Sequence, residues 1–278
     1  MIRREEMISE ENGDSIIELI LNFTGQRPKD LYRYYKKNYT FVVIFIQALI
    51  RKLFDTKFFD RIVCIHGGAQ GIDQLSFWAC YNLQKAGFPI INKVYVPFSE
   101  FPDKETAHKY SNRDISAAEF KTLPFPITGQ EQQWIDGEIF TKAEYQLMLS
   151  LADYIRVLDW KTEYETKISI AKMLDRRNKE MVWASMLTIG IVGSNFDYST
   201  MIKSGTRNCL RDAIDNQNEV LLFQLPQAAI TIPNINVNFN ILDLILDKIK
   251  IKRFFSGAGW IDMNWNTFEA TLVPQKGE

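Results

Sequence analysis

Residues Arg61–Asp73 read RIVCIHGGAQGID. Arg61–Ile65 is a short, continuous apolar run, which suits a parallel strand buried on both faces. Gly67, Gly68 and Gly71 follow it, and Gln74–Lys85 then carries Leu75, Trp78, Ala79 and Leu83 on one helical face. A glycine-rich turn thus leads from a strand into a helix N-terminus. Glycine permits positive φ there and removes the β-carbons that would hold a ligand off the backbone. The amides of Ala69, Gln70, Gly71 and Ile72 would then face an anion, which a helix N-terminus favours by ~0.3–1 kcal/mol. The spacing matches neither G-x-G-x-x-G nor G-x-x-x-x-G-K-[ST], so neither the dinucleotide fingerprint nor the P-loop is supported. A purely structural need for a tight turn is the competing reading of the same glycines.

Working outward, Ile16–Phe23 reads as a strand that stops in a turn at Thr24, Gly25, Gln26, Arg27 and Pro28, and Leu31–Phe54 carries apolar residues at helical spacing. Strands follow at Asn92–Val96, Asp153–Leu158, Leu187–Val192 and Glu219–Phe223, with helices at Ile168–Trp183 and Gly205–Ile214. This alternation predicts right-handed crossovers and an α/β fold with a Rossmann-like, doubly wound, mainly parallel sheet. The domain is expected over residues 1–225. An insertion at about 97–130, holding four of the nine prolines, reads as a lid or as a tolerated surface excursion. Beyond Pro226, Asn234, Asn236, Asn238 and Asn240 alternate with apolar residues, a helix is expected over Ile241–Ile251, and Trp260 and Trp265 follow. Residues 226–278 are therefore expected to be an appendage that packs on the domain or on another subunit, which makes a homo-oligomer the expected state.

Composition narrows the function classes. Thirty-three basic and 34 acidic side chains leave a net charge of −1, so no global field draws the chain to polyanions, and neither nucleic acid nor a membrane is expected as a partner. A local basic patch stays open. The three cysteines, Cys64, Cys80 and Cys209, lack C-x-x-C spacing and the only histidines are His66 and His108, so reduced thiols are expected, with no metal and no cofactor. The charged N-terminus has no signal-peptide core, and Phe41–Ile50 falls well short of the ~20 residues of a membrane span. A soluble, cytoplasmic protein is expected.

Other residues at the predicted strand ends suit the same chemistry. Ser204, Gly205 and Thr206 precede a helix and form a second candidate anion site, or simply its N-cap. Asp73 either caps backbone amides or accepts from a ribose hydroxyl or a base. Arg27 offers a planar fork for phosphate, or is an exposed structural arginine. His66 either contacts a ligand or is satisfied within the core.

Taken in order, these residues resemble the SLOG superfamily, in particular its YpsA-like branch. Phe23–Pro28, reading FTGQRP, is similar to that branch's opening strand and turn, and His66–Asp73, reading HGGAQGID, to its second turn; a similar loop occurs in DNA-processing protein A. Val96, Pro97 and Phe98, then Gln133 and Trp134, then Tyr145–Tyr154 ending in LADY, follow the same order. The resemblance spans about Leu19–Leu225 and implies a nucleotide-type ligand. Lonely-guy phosphoribohydrolases of the same superfamily carry R-K-x-E-M and P-G-G-x-G-T-x-x-E. Arg177, Asn178, Lys179, Glu180 and Met181 resemble the first segment, which adds Arg177 and Asn178 to the ligand-binding set, and Ser204, Gly205 and Thr206 resemble the centre of the second. Where those enzymes place their glutamate this chain has Cys209, and a thiol near its ordinary pKa neither stabilises an oxocarbenium ion nor activates water well.

The leading expectation is binding, by sensing or sequestering, of a nucleotide or a nucleotide-derived molecule such as a cyclic nucleotide or an ADP-ribose derivative. The alternative is an N-glycosidase or phosphohydrolase, with Asp73, Glu180 and Asp212 as its candidate catalytic acids. A further alternative is single-strand DNA binding through Tyr32, Arg33, Tyr34, Tyr35, Lys36 and Lys37. That cluster reads better as the first turns of an amphipathic helix, with tyrosines partly buried and lysines solvated, and Lys248, Lys250, Lys252 and Arg253 read as a solvated face rather than a nucleic-acid patch.

Overall fold

The structure is a computed structural model, and it describes residues 8–11, 14–27, 31, 39–56, 58–127, 140–160, 167–200, 204–226 and 249–263. In chain order the elements are β1 (Ile8–Glu11), β2 (Asp14–Gly25), α1 (Tyr39–Asp55), β3 (Arg61–His66), α2 (Ile72–Lys85), β4 (Ile90–Val96), α3 (Lys104–Tyr110) and β5 (Asp114–Ser116). They continue with α4 (Ala117–Thr122), α5 (Lys142–Leu151), β6 (Tyr154–Val157), α6 (Lys167–Trp183), β7 (Leu187–Val192), α7 (Gly205–Asp215), β8 (Glu219–Gln224), β9 (Lys250–Phe255) and β10 (Gly259–Met263).

The strands form one ten-stranded sheet in the order β10-β9-β8-β7-β2-β3-β4-β6-β5, with β1 paired to β2 off that path. The run β8-β7-β2-β3-β4-β6 is parallel throughout, and β5, β9 and β10 add antiparallel edges. The chain moves from β2 through β3 and β4 to β6, then crosses back to β7 on the other side of β2. This is the Rossmann-like, doubly wound α/β fold, and its topological switch point lies between β2 and β7, where ligands bind in such sheets.

Strand alternation sorts the two faces. Leu19, Leu21, Phe23, Ile62, Cys64, Ile189 and Ile191 pack with α1 and α2, and Val94, Val96 and Ile155 pack with Phe77 and with Tyr145 and Met148 of α5. On the opposite face Met181 of α6 covers Ile65 and Tyr95, while Cys209, Leu210 and Ala213 of α7 cover Val192, Val220 and Leu222. Gly190 lets α7 sit close to the sheet, because a β-carbon there would lie 3.0 Å from Leu210.

Several expectations shift by a few residues. β2 runs through Gly25, so Thr24 and Gly25, read as turn residues, are its last rungs and pair with Gly190 and Ile191. The insertion carries α3, β5 and α4, each helix opened by a capping side chain, Asp103 and Ser116 respectively. Most of the helix expected over Ile241–Ile251 lies outside the described residues, but Lys250 and Ile251 belong to β9, which pairs with β8 and so extends the sheet beyond Pro226. The cluster at residues 32–37, Gln133, Trp134, Lys248 and Trp265 also lie outside the described residues. Among the described residues no helix is long and apolar enough to cross a membrane.

Candidate functional site

The turn at 67–71 is held from several sides. Gly68 has φ +71° and Gly71, at the N-cap of α2, has φ 100° and ψ −132°, a combination that side chains resist. A β-carbon at Gly68 would lie 2.9 Å from the ring of Tyr145, and one at Gly67 would lie 2.5 Å from Asp73 Oδ2 and 3.0 Å from the Arg177 guanidinium carbon. Gln74 Nε2 donates to the Gly68 carbonyl at 3.0 Å, and Gln70 Nε2 reaches the Phe140 carbonyl at 3.3 Å. Packing within the protein therefore requires these glycines, whatever else they admit.

Above the turn the charged groups meet. Arg177 of α6 is buried, its Nη1 donates to the Gly67 carbonyl at 2.6 Å, and its Nε and Nη2 donate to Asn178 Oδ1 at 3.2 and 2.8 Å. Asp73 is buried beside it. Burial pushes the Asp73 carboxyl up from its ordinary range, against the lowering influence of Arg177, of a hydrogen bond from the Ala69 amide, of His66 and of Arg27. The Ala69 amide is thus occupied by Asp73, and the Ile72 amide approaches the Gln26 carbonyl at 3.5 Å. Those two amides are not the open donors that the sequence suggested. The loop already holds an internal carboxyl group, and Arg27, half-buried at the end of β2, acts on the same carboxyl.

Thr24, Asp73, Arg177 and Cys209 form the centre of this cluster. Burial pushes the Cys209 thiol up to about 12, with a hydrogen bond to Thr24 opposing and the charges of Asp73, Arg177 and Asp212 all acting on it. A thiol so placed is neither a nucleophile nor a stand-in for a carboxylate. Asp212, one turn further along α7, bonds Arg211 at 3.3 Å and feels Asp175 and Lys179 of α6, and burial raises its carboxyl. Glu180 acts instead on Tyr95, whose phenol burial pushes up to about 12. Of the three candidate acids, Asp73 alone stands at the turn.

The second anion candidate resolves as a helix cap. Ser204 accepts from the Arg207 amide at 3.4 Å, Thr206 is buried, and Gly205 faces open space. Gly25 is likewise a packing glycine, since a β-carbon there would meet Ile72 at 2.4 Å. At the switch point Gln26 bridges the crevice, its Oε1 accepting from the Gly193 amide at 2.7 Å.

His66 faces inward. Gln84 Nε2 donates to the Ile90 carbonyl and to Asp153 Oδ2, each at 2.8 Å, which turns Gln84 Oε1 toward Asn92 Nδ2 and Asn92 Oδ1 toward His66 Nε2 at 3.2 Å. Nδ1 faces Ser76 Oγ at 2.9 Å, and that hydroxyl also donates to the Asp73 carbonyl at 2.9 Å. Asp153, the acid of LADY, also accepts from the Asn92 amide at 2.7 Å. The chain Asp153–Gln84–Asn92–His66–Ser76 is a hydrogen-bonded scaffold beneath the turn, half-buried at Asp153 and Gln84 and buried from Asn92 to Ser76. Gln26, Gln74, Ser76, Gln84 and Asn92 carry no pattern that marks them in the sequence.

A separate cleft of about 340 Å³ is lined by Phe196, Tyr198, Leu222, Lys252 and Trp260 among others, none of them a residue of the turn. No group of His, Cys, Asp and Glu side chains among the described residues is arranged to hold a metal ion.

Sheet order and the charged cluster at the strand ends define a Rossmann-like α/β protein with its candidate site on the β3–α2 turn. Among solved structures the chain is similar to DNA processing protein A from Streptococcus pneumoniae, at 14% identity and TM-score 0.36, over 73% of this chain and 49% of that one. It is also similar to DNA processing protein A from Helicobacter pylori, in a structure concerned with that protein's single-stranded DNA binding mode, at 17% identity and TM-score 0.39, over 82% and 80% of the two chains. This chain spans about half the length of the Streptococcus pneumoniae protein. No protein-family model and no curated protein matches the sequence. The expectation that nucleic acid is not a partner is withdrawn, because a fold neighbour is itself a single-stranded DNA binder. Net charge is a sum over the whole chain, and it does not describe the field at one turn.

Proposed function

We propose that this chain binds a phosphate-bearing, nucleotide-derived ligand at the β3–α2 turn and does not cleave it. The observation that carries the reading is the convergence of Arg27 and Arg177 on Asp73 at the carboxyl ends of β2 and β3. Both guanidinium groups act on the Asp73 carboxyl, and a guanidinium fork suits a phosphate. Asp73 supplies an acceptor for a ribose hydroxyl. Binding without cleavage follows from the buried, protonated thiol of Cys209 at the position where related hydrolases carry a carboxylate.

Thermal unfolding against a panel of nucleotides, cyclic dinucleotides, ADP-ribose derivatives and short single-stranded oligodeoxynucleotides tests this reading. A ligand at a hundred times its Kd adds ~2.7 kcal/mol of stability. A positive result is a shift that Arg27→Ala removes while the unliganded melting temperature stays near the parent value. No shift from any member of the panel overturns the reading.

A further inference from the structure

The sulfurs of Cys64 on β3 and Cys80 on α2 are 3.4 Å apart, and both residues are fully buried. Cys64 lies on the sheet face that α2 covers, so the two side chains point at one another across the strand–helix interface. We propose that Cys64 and Cys80 are a redox modification site, closing to a disulfide under a hydroperoxide and stapling β3 to α2 around the glycine-rich turn. The covalent ring so formed contains the whole of 67–71 and Asp73. Closure brings the sulfurs from 3.4 Å to the ~2.05 Å of a disulfide.

The surroundings assign the roles. Burial resists ionisation of both thiols, but hydrogen bonds with Cys64 and His66 bring Cys80 down to about 6, whereas burial pushes Cys64 well up. Cys80 is therefore the attacking thiolate and Cys64 the resolving thiol. The Cys80 sulfur attacks one peroxide oxygen; an S–O bond forms as the O–O bond breaks, and the departing hydroxide takes up the proton that the Cys80 thiol lost and leaves as water. The Cys64 sulfur then attacks the Cys80 sulfenic acid and expels hydroxide, which leaves as water with the Cys64 proton. Two thiols and one hydrogen peroxide give one disulfide and two waters. Both sulfurs are reached only through transient separation of α2 from β3, so the reaction is slow, and a small oxidant is required. Cys209 is an internal control: it is also buried, and its hydrogen-bond neighbour is Thr24, not a second sulfur.

The test is hydrogen peroxide treatment of the native full chain, followed by thiol blocking, digestion and mass spectrometry. The expected result is a cross-linked peptide joining Cys64 to Cys80, Cys209 recovered as a free thiol, and a rise in melting temperature that dithiothreitol reverses. Cys64→Ala and Cys80→Ala, checked by circular dichroism, should each abolish the cross-link. Two results overturn the proposal: both thiols staying free after exposure that oxidises the urea-unfolded chain completely, or a cross-link that appears only in urea.

Discussion

The Nη1 of Arg177 donates to the Gly67 carbonyl at 2.6 Å, a bond between the middle of α6 and the first residue after β3. It is charge-assisted, buried, and possible only because Gly67 has no β-carbon to meet the guanidinium at 3.0 Å. Arg177→Ala should cost ~1.5–3 kcal/mol, the range for a hydrogen bond to a charged group. Arg177→Lys should recover part of it, because an ammonium keeps the charge but cannot hold Gly67 and Asn178 in one planar fork. Urea unfolding of the two variants measures this; equal losses would mean that the fork is not what matters.

The glycines divide into those that the fold requires and one that it does not. Gly68→Ala places a β-carbon 2.9 Å from Tyr145 at φ +71°, where the left-handed region alone costs ~1–2 kcal/mol. Gly205 has open space around it and ordinary φ in the first turn of α7, so Gly205→Ala should stabilise by ~0.4–1 kcal/mol. Melting temperatures moving in the same direction for both would contradict this division.

Much of the fold was legible because buried parallel strands and amphipathic helices leave strong periodic signals. Arg61–Ile65, Leu187–Val192 and Glu219–Phe223 were placed to within a residue or so of β3, β7 and β8. The glycine turn was legible too, but not what fills it. Sequence separates Ala69 from Asp73 by four residues and says nothing of the hydrogen bond between them, nor of Arg177 arriving from more than a hundred residues away. His66 is the clearest case. Its position beside the turn leaves a ligand contact and a ring satisfied within the core both open, and Asn92 and Ser76 face its ring nitrogens. Ser204–Thr206 read equally as anion site or cap, and the hydroxyl of Ser204 bonds the Arg207 amide.

Asp73 should give the protein a recognisable pH dependence. Burial raises its pKa in the folded chain above the unfolded value of ~3.9, so the folded state holds the proton more tightly. Below the unfolded value both states are protonated and Asp73 carries no penalty. As pH rises through the raised, folded pKa, stability is lost. Asp73→Asn, which keeps an acceptor for the Ala69 amide, should flatten that part of the curve. Urea unfolding free energies at several pH values between 4 and 8 measure it, and parallel curves for parent and variant would remove Asp73 as the source.

The absence of base release from nucleoside monophosphates is the sharpest expectation from α7. Cys209 is buried with its thiol pushed up to about 12, so it stays protonated at any working pH and activates no water. Asp212 is turned toward Arg211 and α6, and its Oδ2 is buried with no hydrogen-bond partner among the described residues, an arrangement that suits the protonated form. Chromatography at micromolar enzyme over hours should therefore detect no free base. Restoring a carboxylate with Cys209→Glu should not create activity, because it buries a charge beside the carboxyls of Asp73 and Asp212, at a cost of several kcal/mol. The variant should melt well below the parent, whereas Cys209→Ser, which retains a partner for Thr24, should lose only ~1–3 kcal/mol. If free base does appear with the parent protein, Asp73→Asn decides its origin. Loss of activity in that variant would make Asp73 the acid and the turn an active site, and retained activity would point to a contaminating hydrolase.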